Sequence, residues 1–389
     1  MFLFALVLVA SACTGGTASD TTVPTPPVDR LVIIDETGNI VTINPDGSDA
    51  IAISDDGGEG AAYFQPTWSP SSAQLAWGRT SQEDGFSVGL GDPEGEMVGT
   101  IAMPNQPFYF YWSPDGRWIG ALRNASAGGI DLEIVDAENQ ETSVAATGAP
   151  FYFSWDESGS QMIAHIGDRG FQLIEVNGDL TDLGDTGPAY QAPQWTSSGV
   201  FHIRGGDLIL LELGGAEEIV ATVAGPSTFV SNREGSLVAI QSVSAGGIQA
   251  GIQAAPAIPL GGLVVLDVVS GEVEVVSEGP SIGYFWSRDG ESLLIYEPAS
   301  VVGTVDLMVW HQGETSHLVT YDPPGSFFRD VLPFFTQYAQ SIELWSPDST
   351  SVAFAGDVEG EKGIWIQAIS GGEPEYVSDG HWVAWSNGR

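Results

Sequence analysis

Cysteine, lysine and long hydrophobic runs are all scarce in this chain of 389 residues. Cys13 is the only cysteine and Lys362 is the only lysine among the 11 basic residues. A single thiol forms neither an intrachain disulfide nor a thiolate metal site, so the fold has to be stable through its hydrophobic core. After the first dozen residues, no apolar run is long enough to cross a bilayer as a helix.

Positive charge is scarce as well. The chain has 51 Asp and Glu against 11 Lys and Arg, a formal net charge of −40. Such a surface repels nucleic acid and anionic lipid headgroups, which argues against nucleic-acid binding. The acids are spread along the chain and form no Asp-x-Asp-x-Asp-Gly loop, so they indicate a solvated surface rather than a calcium store. We expect no metal site and no cofactor.

The N-terminal residues predict export. Residues 2–12 are apolar, too short to span a bilayer, and suited to the hydrophobic part of a signal peptide (1–12). Small residues before Cys13 resemble a bacterial lipobox, where a lipid is attached to the sulfur; the alternative is an ordinary secretory signal. With residues 14–29, rich in Thr, Pro and Gly, Cys13 would form a lipidated tether. We expect an extracytoplasmic lipoprotein, in the periplasm or on the cell surface, whose anchor is its only membrane contact.

A unit containing tryptophan and a turn recurs along the chain, at spacings of 36 to 59 residues. In one copy Ser231 takes the place of the tryptophan. The other copies contain Trp68, Trp112, Trp155, Trp195, Trp286, Trp345 and Trp385. Each full unit has four short runs of β type, bounded by Gly, Asp, Ser and Pro. This period is typical of propeller blades.

The two ends of the chain complete one further blade. Residues 30–54 supply three strands, and the last tryptophan segment supplies the missing first strand. Their pairing closes the ring and removes open sheet edges. The sequence therefore predicts one all-β domain over 30–389, a β-propeller of four-stranded antiparallel blades. We expect eight blades; seven is the alternative, if the copy with Ser231 is not a separate blade.

The turn after each tryptophan has a recognisable chemistry. In residues 112–116, Trp-Ser-Pro-Asp-Gly, proline fixes φ, aspartate caps the turn and glycine takes the positive-φ position. This stretch resembles the PD40, or TolB-like, β-propeller repeat, and residues 286–290 and 345–348 carry most of it. The resemblance implies an envelope propeller that binds other proteins. The same repeat precedes hydrolase domains of the prolyl-oligopeptidase class, but no hydrolase-sized segment lies outside the repeats here.

Two insertions single out one face of the predicted propeller. Residues 244–262 and 321–341 lengthen loops that lie, by strand parity, on the same face, while the tether leaves from the other. Aromatic residues at the starts of first strands could ring the channel mouth there; packing between blades is the alternative for each of them. The predicted binding residues are Phe327, Phe328, Arg329, Phe334, Phe335, Gln337 and Tyr338 of the second insertion, with Phe108, Tyr109, Phe151 and Tyr152.

These features predict a monomeric binding or scaffold module for an envelope protein or an extracellular polymer. The alternative is an extracytoplasmic enzyme of lyase or glycosidase type, with its site at the channel mouth and no catalytic residue identified. His165 and His202 occupy equivalent strand positions in successive units, which suits either a shared metal or proton-handling site or ordinary strand histidines.

Overall fold

The computed structural model describes residues 29–387, except 59, 185–190, 213, 224–226, 243–247, 251–252 and 255–261. The predicted signal peptide, Cys13 and all of the tether before residue 29 lie outside the described residues. In the described ranges, no helix has the length and apolarity needed to cross a membrane.

The chain forms an eight-bladed β-propeller, which confirms the predicted fold class. Blades are numbered here from the N-terminus, and strands A to D run from the channel outwards. Blade 1 consists of Trp382–Trp385, Leu31–Ile34, Ile40–Ile43 and Ile51–Ala52. Blade 2 consists of Ala61–Trp68, Leu75–Ser81, Gly85–Gly91 and Met97–Met103. Blade 3 consists of Pro107–Trp112, Trp118–Asn124, Ile130–Asp136 and Glu141–Gly148. Blade 4 consists of Phe151–Trp155, Gln161–Ile166, Phe171–Glu175 and Leu180–Gly184.

The second half of the ring follows the same order. Blade 5 consists of Gln194–Thr196, Gly199–Arg204, Asp207–Leu211 and Glu217–Val223. Blade 6 consists of Ser227–Ser231, Leu237–Ser242, Leu263–Asp267 and Val273–Ser277. Blade 7 consists of Gly283–Trp286, Ser292–Pro298, Val305–His311 and Glu314–Tyr321. Blade 8 consists of Ser351–Val358, Glu361–Ala368 and Glu375–Ser378, with strand A reduced to the bridge between Trp345 and Val352. Blade 6 is complete, so the alternative of seven blades is excluded.

The ring closes as the sequence predicts. Strand Leu31–Ile34 pairs antiparallel with Trp382–Trp385, and Leu31 lies opposite Trp385. Beyond the strands, the backbone N–H of Ser386 donates to the carbonyl of Arg30 at 2.8 Å. The Ser386 hydroxyl accepts the N–H of Arg30 at 3.0 Å. The two ends of the propeller therefore hold each other by main-chain hydrogen bonds.

The repeated tryptophans join neighbouring blades. Trp68, Trp155, Trp286 and Trp345 each donate their indole N–H to a strand A carbonyl of the preceding blade, at 2.8 to 3.2 Å. A buried ring with a satisfied N–H stabilises through its apolar area and through a hydrogen bond worth roughly 1 kcal/mol. The repeated tryptophan therefore has a structural role, because it connects neighbouring blades. Two tryptophans depart from this pattern: Trp385 donates its indole N–H to the side chain of Asp29, and the indole nitrogen of Trp112 is buried without a partner among the described residues.

Both insertions begin and end at the predicted strands. Of residues 244–262, the hairpin strands Ile248–Ala250 and Gln253–Ala254 are described, and they extend blade 5 at its outer edge. The second insertion forms a π-helical turn at Phe327–Val331, an α-helix at Leu332–Tyr338 and a 3-10 turn at Ala339–Ser341. A short 3-10 turn at Gly167–Arg169 is the remaining helical element among the described residues.

Candidate functional site

The second insertion fills one end of the channel. Its residues 327–341, called the plug below, contact the innermost strands of blades 4, 6 and 7. Gln337 accepts the backbone N–H of Ala192, next to blade 5, at 2.6 Å. On the opposite wall, the ring of Tyr109 stacks on Tyr338 with 4.2 Å between ring centroids. The plug therefore touches walls all around the channel and closes it on the face of the insertions, called the loop face.

The predicted binding residues mostly form this closure. Phe328 and Arg329 are exposed, and Phe108, Tyr152, Phe334 and Gln337 are half-buried. The rings of Tyr109, Phe151, Phe327, Phe335 and Tyr338 are buried. These five rings pack against one another or against channel walls, so they present little surface to a ligand. Of the predicted set, the part open to a partner on the loop face is centred on Phe328 and Arg329.

Burial also sets the protonation of the plug contacts. Desolvation raises the pKa of Tyr109 and of Tyr338 well above the usual tyrosine range. The hydroxyl of Tyr109 forms a short hydrogen bond with Ser341. Both phenols stay neutral at any physiological pH, and they act here as packing and hydrogen-bonding groups.

The channel is open at its other end. A cavity of about 760 Å³ extends from the face of the turns after strand A, called the turn face, down to the plug. Its floor consists of residues 339–343, and we call it the channel cavity. More than half of the lining residues are polar or charged, and five are aromatic: Tyr111, Trp155, Trp195, Trp286 and Trp345. The result is a blind-ended pocket within the range of sizes typical of ligand sites.

One position of the repeat supplies the rim of this cavity. The residue two places after the tryptophan, or after Ser231 in blade 6, lines the cavity in all eight blades. In blade order from 1 to 8, this rim ring is Asn387, Pro70, Pro114, Glu157, Ser197, Arg233, Arg288 and Pro347. Prolines occupy blades 2, 3 and 8, whereas blades 4 to 7 contribute an arc of polar and charged side chains. One half of the cavity mouth is therefore lined by three prolines and Asn387, and the other half by polar and charged side chains.

Arg288 is a structural member of the rim ring. Its guanidinium pairs with Glu343 in the cavity floor at 2.7 Å. It also donates to the carbonyl of Trp345 at 3.1 Å and to the carbonyl of Ser386 at 3.0 Å. Its second terminal nitrogen donates to the side chain of Asn387 at 2.6 Å. Arg288 thereby ties blade 7 to blade 8 and to the C-terminal strand of blade 1.

The blade without a tryptophan has a polar wall. The Ser231 hydroxyl accepts a hydrogen bond from Gln340 of the plug at 3.1 Å. The amide oxygen of Gln194 accepts the backbone N–H of Ser231 at 2.8 Å, and its amide nitrogen donates to the carbonyl of Phe229 at 2.9 Å. Gln194 thus replaces the indole that joins other blades. The smaller serine leaves room in the channel beside Arg233.

Arg233 differs from Arg288 although both occupy the same turn position. Its side chain is exposed, and no described residue forms an ion pair or a hydrogen bond with its guanidinium. Burial raises the pKa of Tyr111 to about 12, and the charge of Arg233 acts in the opposite direction. Since Tyr111 belongs to blade 3, Arg233 exerts its field across the cavity.

The two histidines at equivalent strand positions lie apart from the cavity, between blades 4 and 5. The ring of Phe171 meets His202 edge-on at 4.7 Å and His165 at 5.8 Å. Desolvation, with a smaller contribution from Arg204, lowers the pKa of His202 to about 4. In the described part of the chain, no three His, Cys, Asp or Glu side chains gather as a metal site would need.

The sequence does contain a pattern that marks the rim. The departures from the repeat in blade 6, where Ser231-Asn232-Arg233 stands in place of Trp-Ser-Pro, mark the polar side of the cavity. Aligning the position two residues after each tryptophan would have given the whole ring. Its exposure to an open channel depends on the plug, which no local pattern predicts.

Comparison with known proteins supports the class of fold. No protein-family model and no curated protein matches the chain. Dihydro-heme d1 dehydrogenase NirN is similar at 12% identity and TM-score 0.58, over 93% of this chain and 77% of that one. Oligogalacturonate lyase from Vibrio parahaemolyticus is similar at 16% identity and TM-score 0.51, over 88% and 97%. TolB from Acinetobacter baumannii aligns at 12% identity and TM-score 0.41, over 85% and 67%.

At these identities, the likenesses establish a fold and no activity. The chain is an eight-bladed β-propeller.

Proposed function

We propose that this propeller is an extracytoplasmic binding module whose protein or polymer ligand enters the channel cavity from the turn face. The blind-ended cavity of about 760 Å³ carries the proposal. Its lining combines aromatic rings with a larger number of polar and charged side chains, which can fix the orientation of a ligand. A protruding end or branch of a larger ligand suits such a pocket better than a flat surface does.

The position of the chain's beginning supports the orientation. Asp29, the first described residue, accepts the indole N–H of Trp385 at 2.6 Å, on the turn face. An anchor at Cys13 would be sixteen residues away, a reach of about 50 Å when extended. A lipid-anchored chain would therefore present the cavity mouth towards the membrane and the plug away from it.

The alternative of a propeller enzyme has no comparable observation behind it. Oligogalacturonate lyase in complex with manganese has a similar fold at TM-score 0.52 and 15% identity. That likeness concerns the ring of blades. It brings no catalytic residue to this chain.

The test is to fill the cavity and leave the fold intact. Ser231→Trp restores the tryptophan of the repeat, and Ser197→Trp places an indole at the exposed mouth. The full-length protein is screened by thermal shift and calorimetry against defined oligosaccharides and short peptides. We expect ligands of the wild type to lose affinity for both variants and to keep it for the control Phe328→Ala on the loop face. Loss in the control alone would place the site on the loop face instead.

A further inference from the structure

The rim ring contains one charged side chain that has no partner among the described residues. Arg288 is paired with Glu343, and Glu157 accepts a hydrogen bond from Ser197. Arg233 stands between Ser197 and Arg288 in the ring and has no partner among the described residues. Arginine is a planar fork of donors that matches a carboxylate.

The lack of a partner is unusual in this chain. Seven of the nine described arginines form ion pairs, and the other exception is Arg169, exposed in a short turn away from the cavity. Glu234 directly follows Arg233 in the chain, yet no ion pair between Arg233 and a described carboxylate is formed. Instead, the repeat's proline is replaced here by an arginine that extends its charge over an open pocket.

We propose, resting on the proposed function, that Arg233 is the specificity-determining residue of the channel cavity and pairs with the carboxylate of an acidic saccharide. The aromatic wall offers half-buried indole rings of Trp195 and Trp286, on which a sugar ring can stack. The polar side offers hydroxyl and amide groups of Ser197 and Gln340 for sugar hydroxyls. Stacking surface, hydrogen-bond groups and one free guanidinium together fit a uronic acid unit better than an extended peptide.

The acidic surface is compatible with this ligand. A net charge of −40 repels anions at long range, but the Debye length is about 8 Å at physiological salt. Of the other carboxylates that line the cavity, Asp289 and Asp348 accept hydrogen bonds from the hydroxyls of Ser287 and Ser346, at 2.5 and 2.7 Å. These hydrogen bonds hold both carboxylates at their own turns. Binding then depends on the short-range pair with Arg233.

The experiment compares two matched probes on the full-length protein. The first is a galacturonate trisaccharide with free carboxylates, and the second is the same trisaccharide fully methyl-esterified. Calorimetry should show at least tenfold tighter binding of the free acid to the wild type. Arg233→Gln should abolish that preference, Arg233→Lys should retain part of it, and Arg169→Gln, which removes the same charge elsewhere, should retain it in full.

Each other outcome is decisive. Equal binding of both probes to the wild type, or an undiminished preference in Arg233→Gln, overturns the role of Arg233. If binding is nevertheless lost in Ser231→Trp, the cavity remains the binding site even though Arg233 does not determine its specificity. The proposed function and the role of Arg233 can therefore fail separately. If neither probe binds at millimolar concentration, or if the tripeptide Gly-Phe-Gly binds in their place through Arg233, the saccharide assignment is overturned.

Discussion

Arg288 and Glu343 form an ion pair at 2.7 Å that links the rim of the channel cavity to its floor. Each side chain is 18% exposed, so the pair is well shielded from solvent. The same guanidinium holds carbonyls of blades 8 and 1. One side chain thus connects blades 7, 8 and 1, at the place where the chain ends meet.

Removal of this arginine should weaken the closure of the ring. Arg288→Ala leaves Glu343 and two backbone carbonyls without their donor, so we expect a loss of about 2–3 kcal/mol in the free energy of unfolding. Urea denaturation measures it. The control is Arg329→Ala, whose side chain is 66% exposed, with an expected change of about 0.5 kcal/mol. Equal losses of stability in the two variants would show that Arg288 contributes no more to ring closure than an exposed arginine does.

The tryptophans of blades 2 and 3 should respond differently to the same substitution. Trp68 and Trp112 are 2% and 4% exposed, yet only Trp68 has an indole hydrogen bond, to the carbonyl of Ala384. Trp68→Phe should therefore cost roughly 1 kcal/mol more than Trp112→Phe, since only Trp68→Phe removes an indole hydrogen bond. Thermal and urea unfolding of the two variants check the difference; a larger loss for Trp112→Phe would contradict the role assigned to the N–H.

Stability should fall in mild acid because of His202. Its pKa is lowered to about 4 in the folded chain, whereas an unfolded histidine titrates near 6.5, so the unfolded state binds the proton first as the pH falls. The stabilisation is present above about pH 6.5 and is lost towards pH 4. By pH 5 the loss reaches about 2 kcal/mol.

The variant His202→Phe isolates this contribution. Its unfolding free energy between pH 7.5 and 5 should fall by about 2 kcal/mol less than that of the wild type. The exposed Phe328→Ala serves as control, because it removes no titratable group and should follow the wild type. Parallel curves for the wild type and His202→Phe would mean that His202 binds its proton over the same pH range in the folded and unfolded states.

The predicted lipid anchor is tested by removing the sulfur of Cys13. If Cys13 is lipidated, Cys13→Ala should move the protein from the membrane fraction to the aqueous extract of expressing bacteria. Detergent-phase partitioning of the wild type is the second measurement. An identical distribution of the two proteins would contradict lipidation and leave an ordinary secretory signal as the interpretation.

Much of the architecture follows from the sequence by itself. The turn chemistry of residues 112–116 and the spacing of the tryptophans determined the blades, and the unpaired strands at both ends determined the closure. Such features are local, because a strand and its turn are set by residues a few positions apart. Even blade 6, which lacks its tryptophan, keeps the alternation and length that define four strands.

Only the tertiary structure decided which end of the channel is open. Tyr109 and Tyr338 stack across the channel although they lie 229 positions apart in the chain. Such long-range packing decides whether the aromatic residues of the second insertion face a ligand or pack against one another. Burial of apolar rings favours packing against one another. The plug thereby closes the loop face, and the same turns that the sequence marks as structural become the rim of the remaining cavity. At its mouth, Arg233 has no ion-pair partner among the described residues.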